Sequence, residues 1–351
     1  TQPVNEQVLS WLRENIKKRG IPLLIEADGS RQKPLKAPAA HEPPIPNFVD
    51  TVIVVAGLNG LGKPLTEEFV FREQLFREIS KATNEQVVTP EMLVRVLSHP
   101  EGGLKNIPPN ARRIALLNQA ETPELQSVGG KIANGLLAHY DSVLVGSLHQ
   151  NDFQAFERTA GIILAAGESK RFGQPKQLLD WKGKPFVRQV AETALHAGLQ
   201  PVIVVTGSDA EEVENAVKGL DVRIIRNEAW AGGQSTSIRV GLSSLLDLES
   251  SRPHLHCAER SAVQVSPLRG EIGSAIFLLA DQPQIPIEIL RALVETHSRG
   301  LPAILAPLVL EERRANPVLF DQVTFSDLLA LTGDVGGRAI LDKHRVEYMP
   351  W

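Results

Sequence analysis

Gly161-Ile-Ile-Leu-Ala-Ala-Gly-Glu-Ser-Lys-Arg-Phe-Gly-Gln-Pro-Lys-Gln-Leu-Leu179 is the stretch on which the reading of this chain turns. An apolar run, Gly161–Leu164, reads as a buried strand and leads into Ala165-Ala166-Gly167. Small residues at such a turn let a ligand approach the backbone, and successive N–H groups can cradle phosphate oxygens. Ser169 follows, and Lys170, Arg171 and Lys176 set three cations behind the turn. Gly173 lets the chain turn back, and Pro175 stiffens it. A polyphosphate needs this combination of backbone donors with forked and mobile cations. Neither the glycine–lysine–Ser/Thr order of a Walker loop nor GxGxxG is present. The plainer reading is a strand-to-helix turn with a solvated basic face.

Outward from this loop the same grammar repeats. Ile21–Ala27, Thr51–Ala56, Arg113–Asn118 and Ser142–Gly146 read as buried strands, with helices at Glu67–Ile79 and Pro90–Leu97. After the loop, Pro201–Thr206, Val222–Arg226, Ala275–Ala280 and Ala303–Ala306 read as strands. Helical periodicity covers Val187–Ala197, Ala210–Val217, Ser235–Leu246, Ile287–Arg299 and Phe325–Leu331. Apolar strands alternating with helices predict an α/β protein with parallel sheets covered on both faces. Two domains are expected, 1–152 and 160–351, joined near the polar stretch Gln150–Thr159. Leu248–Ser274, 27 residues long, breaks the pattern. It reads as a mobile insertion, because connections in such folds usually take about 2–6 residues. Its His254, His256 and Cys257 are too crowded to make a tetrahedral metal site without a further ligand supplied by the fold.

Composition narrows the classes of function. The 351 residues are 42% hydrophobic and 22% charged with a formal net charge of −4, as in ordinary soluble domains. No basic excess points to nucleic acid. A single cysteine excludes a disulfide framework and suits a reducing cytosol. The apolar runs fall short of a bilayer span, and the first residues lack the pattern of a signal peptide, so a cytoplasmic protein is expected, with no membrane partner.

The segment Leu164-Ala-Ala-Gly-Glu-Ser-Lys-Arg-Phe-Gly-Gln-Pro-Lys176 resembles the LAAGxSxRxGxxK signature of the molybdenum cofactor nucleotidyltransferases, the MobA-like NTP transferase domain. The resemblance continues through Val204–Gly207, Asn227–Ser237, Leu279–Pro283, Arg314–Phe320 and Leu331–Arg338. It implies a Rossmann-like nucleotidyltransferase fold with a mostly parallel sheet. Ala165-Ala166-Gly167 looks like the cytidylyltransferase version, where guanylyltransferases usually carry Ala-Gly-Gly. A methyl at Ala166 would narrow the room beside a purine and so favour CTP.

Asp281 ends a strongly apolar strand, and ligands of open α/β sheets sit at the carboxyl ends of strands. A carboxylate there can hold Mg²⁺ shared with nucleotide phosphates, or simply cap the next helix. The resemblance assigns it the metal role, and catalysis to Arg171, Lys176 and Asp281. It places Leu164, Ala165, Ala166, Gly167, Ser169, Lys176, Thr206, Asn227, Gly233 and Ser235 around the nucleotide. Ser235 also reads as a plain helix cap. Arg314, Asn316 and Arg338 are candidates for the second, anionic substrate, since forked Arg donors suit a phosphate. The relatives also carry a second metal carboxylate on a segment after the strand at Arg345–Met349. This sequence does not contain that segment, so weak Mg²⁺ binding and slow turnover are expected, unless Glu347 substitutes.

The first domain carries Glu26–Pro38, His41-Glu42-Pro43, Ala56–Pro64, Glu101–Lys105 and Leu117-Asn-Gln119. Together these resemble the selenium-dependent hydroxylase accessory family, whose members look like P-loop nucleotide binders. The phosphate loop of that family is absent, so a partial P-loop-like α/β domain without hydrolysis is expected. Gly57–Lys63 is a poor substitute: Lys63 is followed by Pro64, which lacks an N–H.

The function implied by the resemblance is transfer of CMP from CTP to the terminal phosphate of molybdenum-molybdopterin, giving a cytosine dinucleotide cofactor and pyrophosphate, with Mg²⁺. Alternatives are a sugar-phosphate nucleotidyltransferase, or a non-catalytic chaperone delivering the cofactor to an apo molybdenum hydroxylase.

Overall fold

The computed structural model describes residues 6–19, 22–82, 86–109, 111–168, 174–250, 272–309, 313–314 and 316–351. The insertion residues 251–271, with His254, His256 and Cys257, lie outside the described residues. In chain order come α1 (Glu6–Arg19), β1 (Leu35–Lys36), β2 (Thr51–Gly57), β3 (Val70–Phe71), α2 (Glu73–Ser80), α3 (Pro90–Leu97), β4 (Arg112–Asn118), α4 (Pro123–Leu136), β5 (Ser142–Ser147) and β6 (Asp152–Ala165). Then follow β7 (Asp180–Trp181), β8 (Lys184–Pro185), α5 (Phe186–His196), β9 (Val202–Thr206), α6 (Ala210–Ala216), β10 (Arg223–Arg226) and α7 (Gln234–Ser250). The last are β11 (Ile272–Leu279), α8 (Ile287–Gly300), β12 (Ile304–Val309), β13 (Arg313–Arg314), β14 (Val318–Asp321), α9 (Phe325–Leu329) and β15 (Val346–Pro350). No helix among the described residues is long and apolar enough to cross a membrane.

Two compact units form. One takes the described residues of Thr1–Asp50 and Gly60–Pro108; the other takes those of Thr51–Asn59, Pro109–Leu255 and Arg269–Trp351.

In the first unit β1 and β3 pair in parallel over a small core that includes Leu35, Val70, Phe76, Met92 and Leu93. The helix expected from Glu67 starts only at Glu73, because Val70 and Phe71 extend to pair with Leu35 and Lys36. The strand expected at Ile21–Ala27 is a further correction. Residues 22–30 have no strand, and Leu24 is 90% exposed. An apolar run becomes a strand only where another strand takes its N–H and C=O groups, and here the pairing falls downstream, at Leu35. Two of the carboxylates in the Glu26–Pro38 and His41–Pro43 stretches bind cations of the same unit. Asp28 pairs with Lys36, and Glu42 takes both arms of the Arg72 fork at 2.7 and 2.8 Å.

The second unit is built on one mostly parallel sheet. The stretch Gln150–Thr159, read as a join, is from Asp152 onward the first half of the 14-residue β6. Asp152–Glu157 pair antiparallel with β5, which continues in parallel to β4 and β2. Gly161–Ala165 pair in parallel with β9, and Thr159–Leu164 with β11. Beyond Thr159 the order is β10-β9-β6-β11-β14-β12-β15, with β14 antiparallel to both neighbours and the short β13 antiparallel to β12. From β6 the chain moves to β9 and β10, then returns to the other side of β6 for β11. That reversal puts a topological switch point between β6 and β11, where open α/β sheets leave a crevice.

Both faces of this sheet are apolar, as its near-continuous aliphatic strands require. Ile163, Ala165, Val204 and Leu278 pack with Val187, Val190, Val213 and Leu290 of α5, α6 and α8. Ile162, Ala166, Ile203 and Val205 pack with Ile238, Leu242 and Leu328 of α7 and α9.

Candidate functional site

Strand register brings the site together. Leu164 faces Leu279 of β11, and Ala165 faces Thr206 of β9, so three carboxyl ends lie side by side. Two residues beyond the Leu164–Leu279 pair stand Ala166 and Asp281. Ala165 and Ala166 are each 3% exposed, whereas Gly167 is exposed with open space where a Cβ would lie. The Ala166 methyl sits in the apolar layer with Ile203, Val205 and Ile238. It therefore faces the core and not an open space beside a base, and the steric argument for CTP loses its geometry. Gly207, next after Thr206, must be glycine, since a Cβ there would lie 2.5 Å from the Ala166 carbonyl oxygen. Its neighbour Ser208 donates its N–H to that same oxygen at 3.3 Å.

Ser169 and Arg171, with Lys170 and Gly173, lie outside the described residues. Lys176 opens a 3₁₀ turn, Lys176–Leu178, and is exposed. The following Gln177 is 5% exposed and donates to Asp209 Oδ2 at 3.4 Å.

Asp281 is exposed at the end of β11, where Ala280 N–H donates to the Leu164 carbonyl at 3.2 Å. Among the described residues no group of three or more His, Cys, Asp or Glu could hold a metal ion. One hard oxygen donor fits an ion shared with substrate phosphates and water, the usual habit of Mg²⁺. It does not fit an ion caged by protein alone.

Thr206 is fully buried, and its Oγ1 has no hydrogen-bond partner among the described residues. An enclosed hydroxyl without a partner costs about 1–3 kcal/mol, and this one lies level with the Ala165–Gly167 turn. Asn227, expected to flank the nucleoside, is used internally. Its amide donates to Thr236 at 2.8 Å and Ser237 at 3.0 Å, and its oxygen accepts from the Ala229 N–H at 3.0 Å. It ties the loop after β10 to the first turn of α7. Gly233 and Ser235 are likewise engaged with protein. The Ser235 hydroxyl donates to the Gly333 carbonyl at 2.6 Å, and the Gly233 backbone, at φ +98°, lies against Asp334. The residue that caps α7 is Asp334, whose Oδ1 accepts the Gln234 N–H at 3.2 Å. Asp334 lies within Leu331–Arg338, one of the segments that carry the resemblance.

Among the candidates for the second substrate, Arg338 is exposed in the 3₁₀ turn Gly337–Ile340, on the loop that Asp334 fastens to α7. Asn316 is half-buried just before β14. Arg314 lies in the two-residue strand β13, paired with Leu308, and its side chain is outside the description. Glu347 is exposed on β15, opposite Leu305 of β12. Asp209, Gln177 and Ser208 carried no recognisable motif and emerge only from the fold.

Comparison with known proteins gives two family matches: the MobA-like NTP transferase domain over residues 161–348, and YqeC protein over residues 3–74. Over 130 residues the chain is 35% identical to the "Uncharacterized protein YqeC" of Escherichia coli (strain K12), covering 37% of this chain and 51% of that protein. Over 136 residues it is 32% identical to nicotine blue oxidoreductase of Paenarthrobacter nicotinovorans, covering 36% of this chain and 65% of that one. Over 55 residues it is 46% identical to a "Probable molybdenum cofactor guanylyltransferase" of Bacillus cereus (strain G9842), covering 16% and 27%. The chain thus spans about half of the first relative and just under two thirds of the second.

Proposed function

Because this chain belongs to the MobA-like NTP transferase family, we propose that it transfers CMP from CTP to the terminal phosphate of a molybdopterin-type cofactor, with release of pyrophosphate. The observation that carries this reading is the set of strand ends at the switch point. A backbone turn at Ala165–Gly167, an exposed carboxylate at Asp281 and a Thr206 hydroxyl without a partner among the described residues are brought near one another by the register of β6, β9 and β11. That set supplies donors for phosphate oxygens, a hard ligand for a cation and a buried polar group for a nucleoside.

In the reaction an acceptor phosphate oxygen forms a bond to the α-phosphorus. The bond from that phosphorus to the oxygen bridging to the β-phosphate breaks, and pyrophosphate leaves with the electron pair. The attacking oxygen is already anionic, so no protein base is needed. The protein's work is positioning and charge neutralisation. Amides of the turn hold the phosphates, and Lys176 and Arg171 offset their charge. Asp281 would hold Mg²⁺, which supplies neutralisation of charge on the departing pyrophosphate. Arg338, with Arg314 and Asn316, would take the acceptor phosphate.

The choice of CTP rests on the likeness of Ala165-Ala166-Gly167 to the cytidylyltransferase form of the loop alone, since the Ala166 methyl faces the core. Pyrophosphate release with CTP, GTP and ATP, each with the molybdopterin-type acceptor and with a sugar phosphate, tests the reading. Release that is fastest with CTP and the pterin supports it. Equal kcat/KM for CTP and GTP removes the cytidylyl assignment, and faster turnover with the sugar phosphate removes the acceptor.

A further inference from the structure

We infer that Asp209 is a positioning residue that sets Lys176 against the Ala165–Gly167 turn. The inference rests on the proposed function only in taking Lys176 as a ligand of the triphosphate.

A continuous chain of hydrogen bonds carries it. The turn's Ala166 carbonyl accepts the Ser208 N–H at 3.3 Å. The Ser208 hydroxyl donates to Asp209 Oδ2 at 2.7 Å. The same oxygen accepts from Gln177 Nε2 at 3.4 Å, and Gln177 follows Lys176 directly. Asp209 is the N-cap residue of α6, yet its side chain makes no capping bond. Capping is the ordinary use of an aspartate there; this one faces the phosphate loop instead. Gln177 is 5% exposed and Leu178 packs against the core, while Lys176 between them and Pro175 is exposed. The turn is therefore pinned from its buried side, and Asp209 is the charged end of the pin. The Gly207 backbone closes the other side, since it leaves no room for a Cβ beside Ala166. Asp209 thus sets the spacing between the backbone donors and the lysine that must meet one triphosphate together.

A purely structural aspartate would weaken binding whether or not Lys176 is present; a positioning one acts only through the lysine. The test is a double-mutant cycle on the Kd of CTP with Mg²⁺, and of inorganic triphosphate, using the full chain. Asp209→Ala is expected to raise Kd about five- to tenfold, the scale of one ordinary hydrogen bond. In a Lys176→Ala background the same change should do nothing further. Asp209→Asn, which keeps an acceptor, should recover most of the loss. Gln177→Met, which keeps the buried volume without the donor, should reproduce Asp209→Ala if that variant folds poorly. Equal effects of Asp209→Ala with and without Lys176, or an unchanged Kd in the folded variant, overturn the inference and leave the proposed function standing. A wild-type chain that binds neither probe overturns both.

Discussion

Asp334 Oδ1 accepts the backbone N–H of Gln234 at 3.2 Å, although 100 residues separate them in the chain. The first turn of α7 is thus capped from another loop, and the adjacent Ser235 hydroxyl fastens that loop at the Gly333 carbonyl. The loop carrying Arg338 and the helix beginning beside Asn227 form one piece. Replacing Asp334 by alanine should cost about 1 kcal/mol, the usual worth of an N-cap, and Asp334→Asn much less. Urea unfolding of the three proteins measures this; equal midpoints would mean the cap is idle.

Gly233 is the second half of the same contact. Its φ is +98°, and a Cβ would lie 2.5 Å from Asp334 Cα. Gly233→Ala is expected to destabilise by more than about 1 kcal/mol, through backbone strain and through displacement of the loop. A thermal midpoint equal to that of the wild type would show that the loop yields freely.

Lys176 is exposed, so Lys176→Ala removes no core and should cost no more than about 1 kcal/mol of stability, the upper range for an exposed polar contact. Its loss should lower kcat/KM for CTP about 10- to 100-fold, the range of a charge-assisted hydrogen bond to phosphate. An unchanged kcat/KM in the purified variant would remove Lys176 from the site.

For Asp281 the informative quantity is the Mg²⁺ requirement. Asp281→Asn keeps the shape but loses the anionic oxygen, so half-maximal pyrophosphate release should need about tenfold more Mg²⁺. Coincident Mg²⁺ titrations of variant and wild type would show that the carboxylate serves another purpose.

Glu42 tests the first unit. The fork of Arg72 donates to its carboxylate and holds its pKa below the ordinary glutamate value of 4.5. A carboxylate that ionises more readily folded than unfolded stabilises the fold above the unfolded value. That contribution should begin to fade as pH falls below 4.5 and vanish once pH passes the depressed folded value. Glu42→Gln should flatten this part of the stability profile, as unfolding midpoints between neutral pH and about pH 3 would show. Parallel profiles would mean the pair contributes nothing.

The strand ends that frame the candidate site were legible because their signals are local. A run of aliphatic residues ending in Ala165-Ala166-Gly167, and another ending at Asp281, each describe one strand and its exit. The helix Pro90–Leu97 matches its expected bounds, with Thr89 capping Met92 at 3.3 Å and proline in the first turn. The apolar spacing predicts no helix at α4, although Thr122-Pro123-Glu124 repeats that start and Thr122 caps Leu125 at 3.3 Å. There the start signal was present and the apolar stripe, interrupted by Gly129 and Gly130, was weak.

The sequence by itself determined which segments are apolar enough to be buried and where small or charged residues interrupt them, because those properties belong to each residue. Only the tertiary structure decided that Gln150–Thr159 enters a strand shared by two sets of partners, that Asn227 and Ser235 bind protein, and that Asp209 and Asp334 serve loops far from their own. Each of these depends on strand register and on which buried polar atoms meet. A hydroxyl, an amide or a carboxylate accepts several partners equally well in isolation, and the choice among them is made by the packing that brings one within reach and shuts out the others.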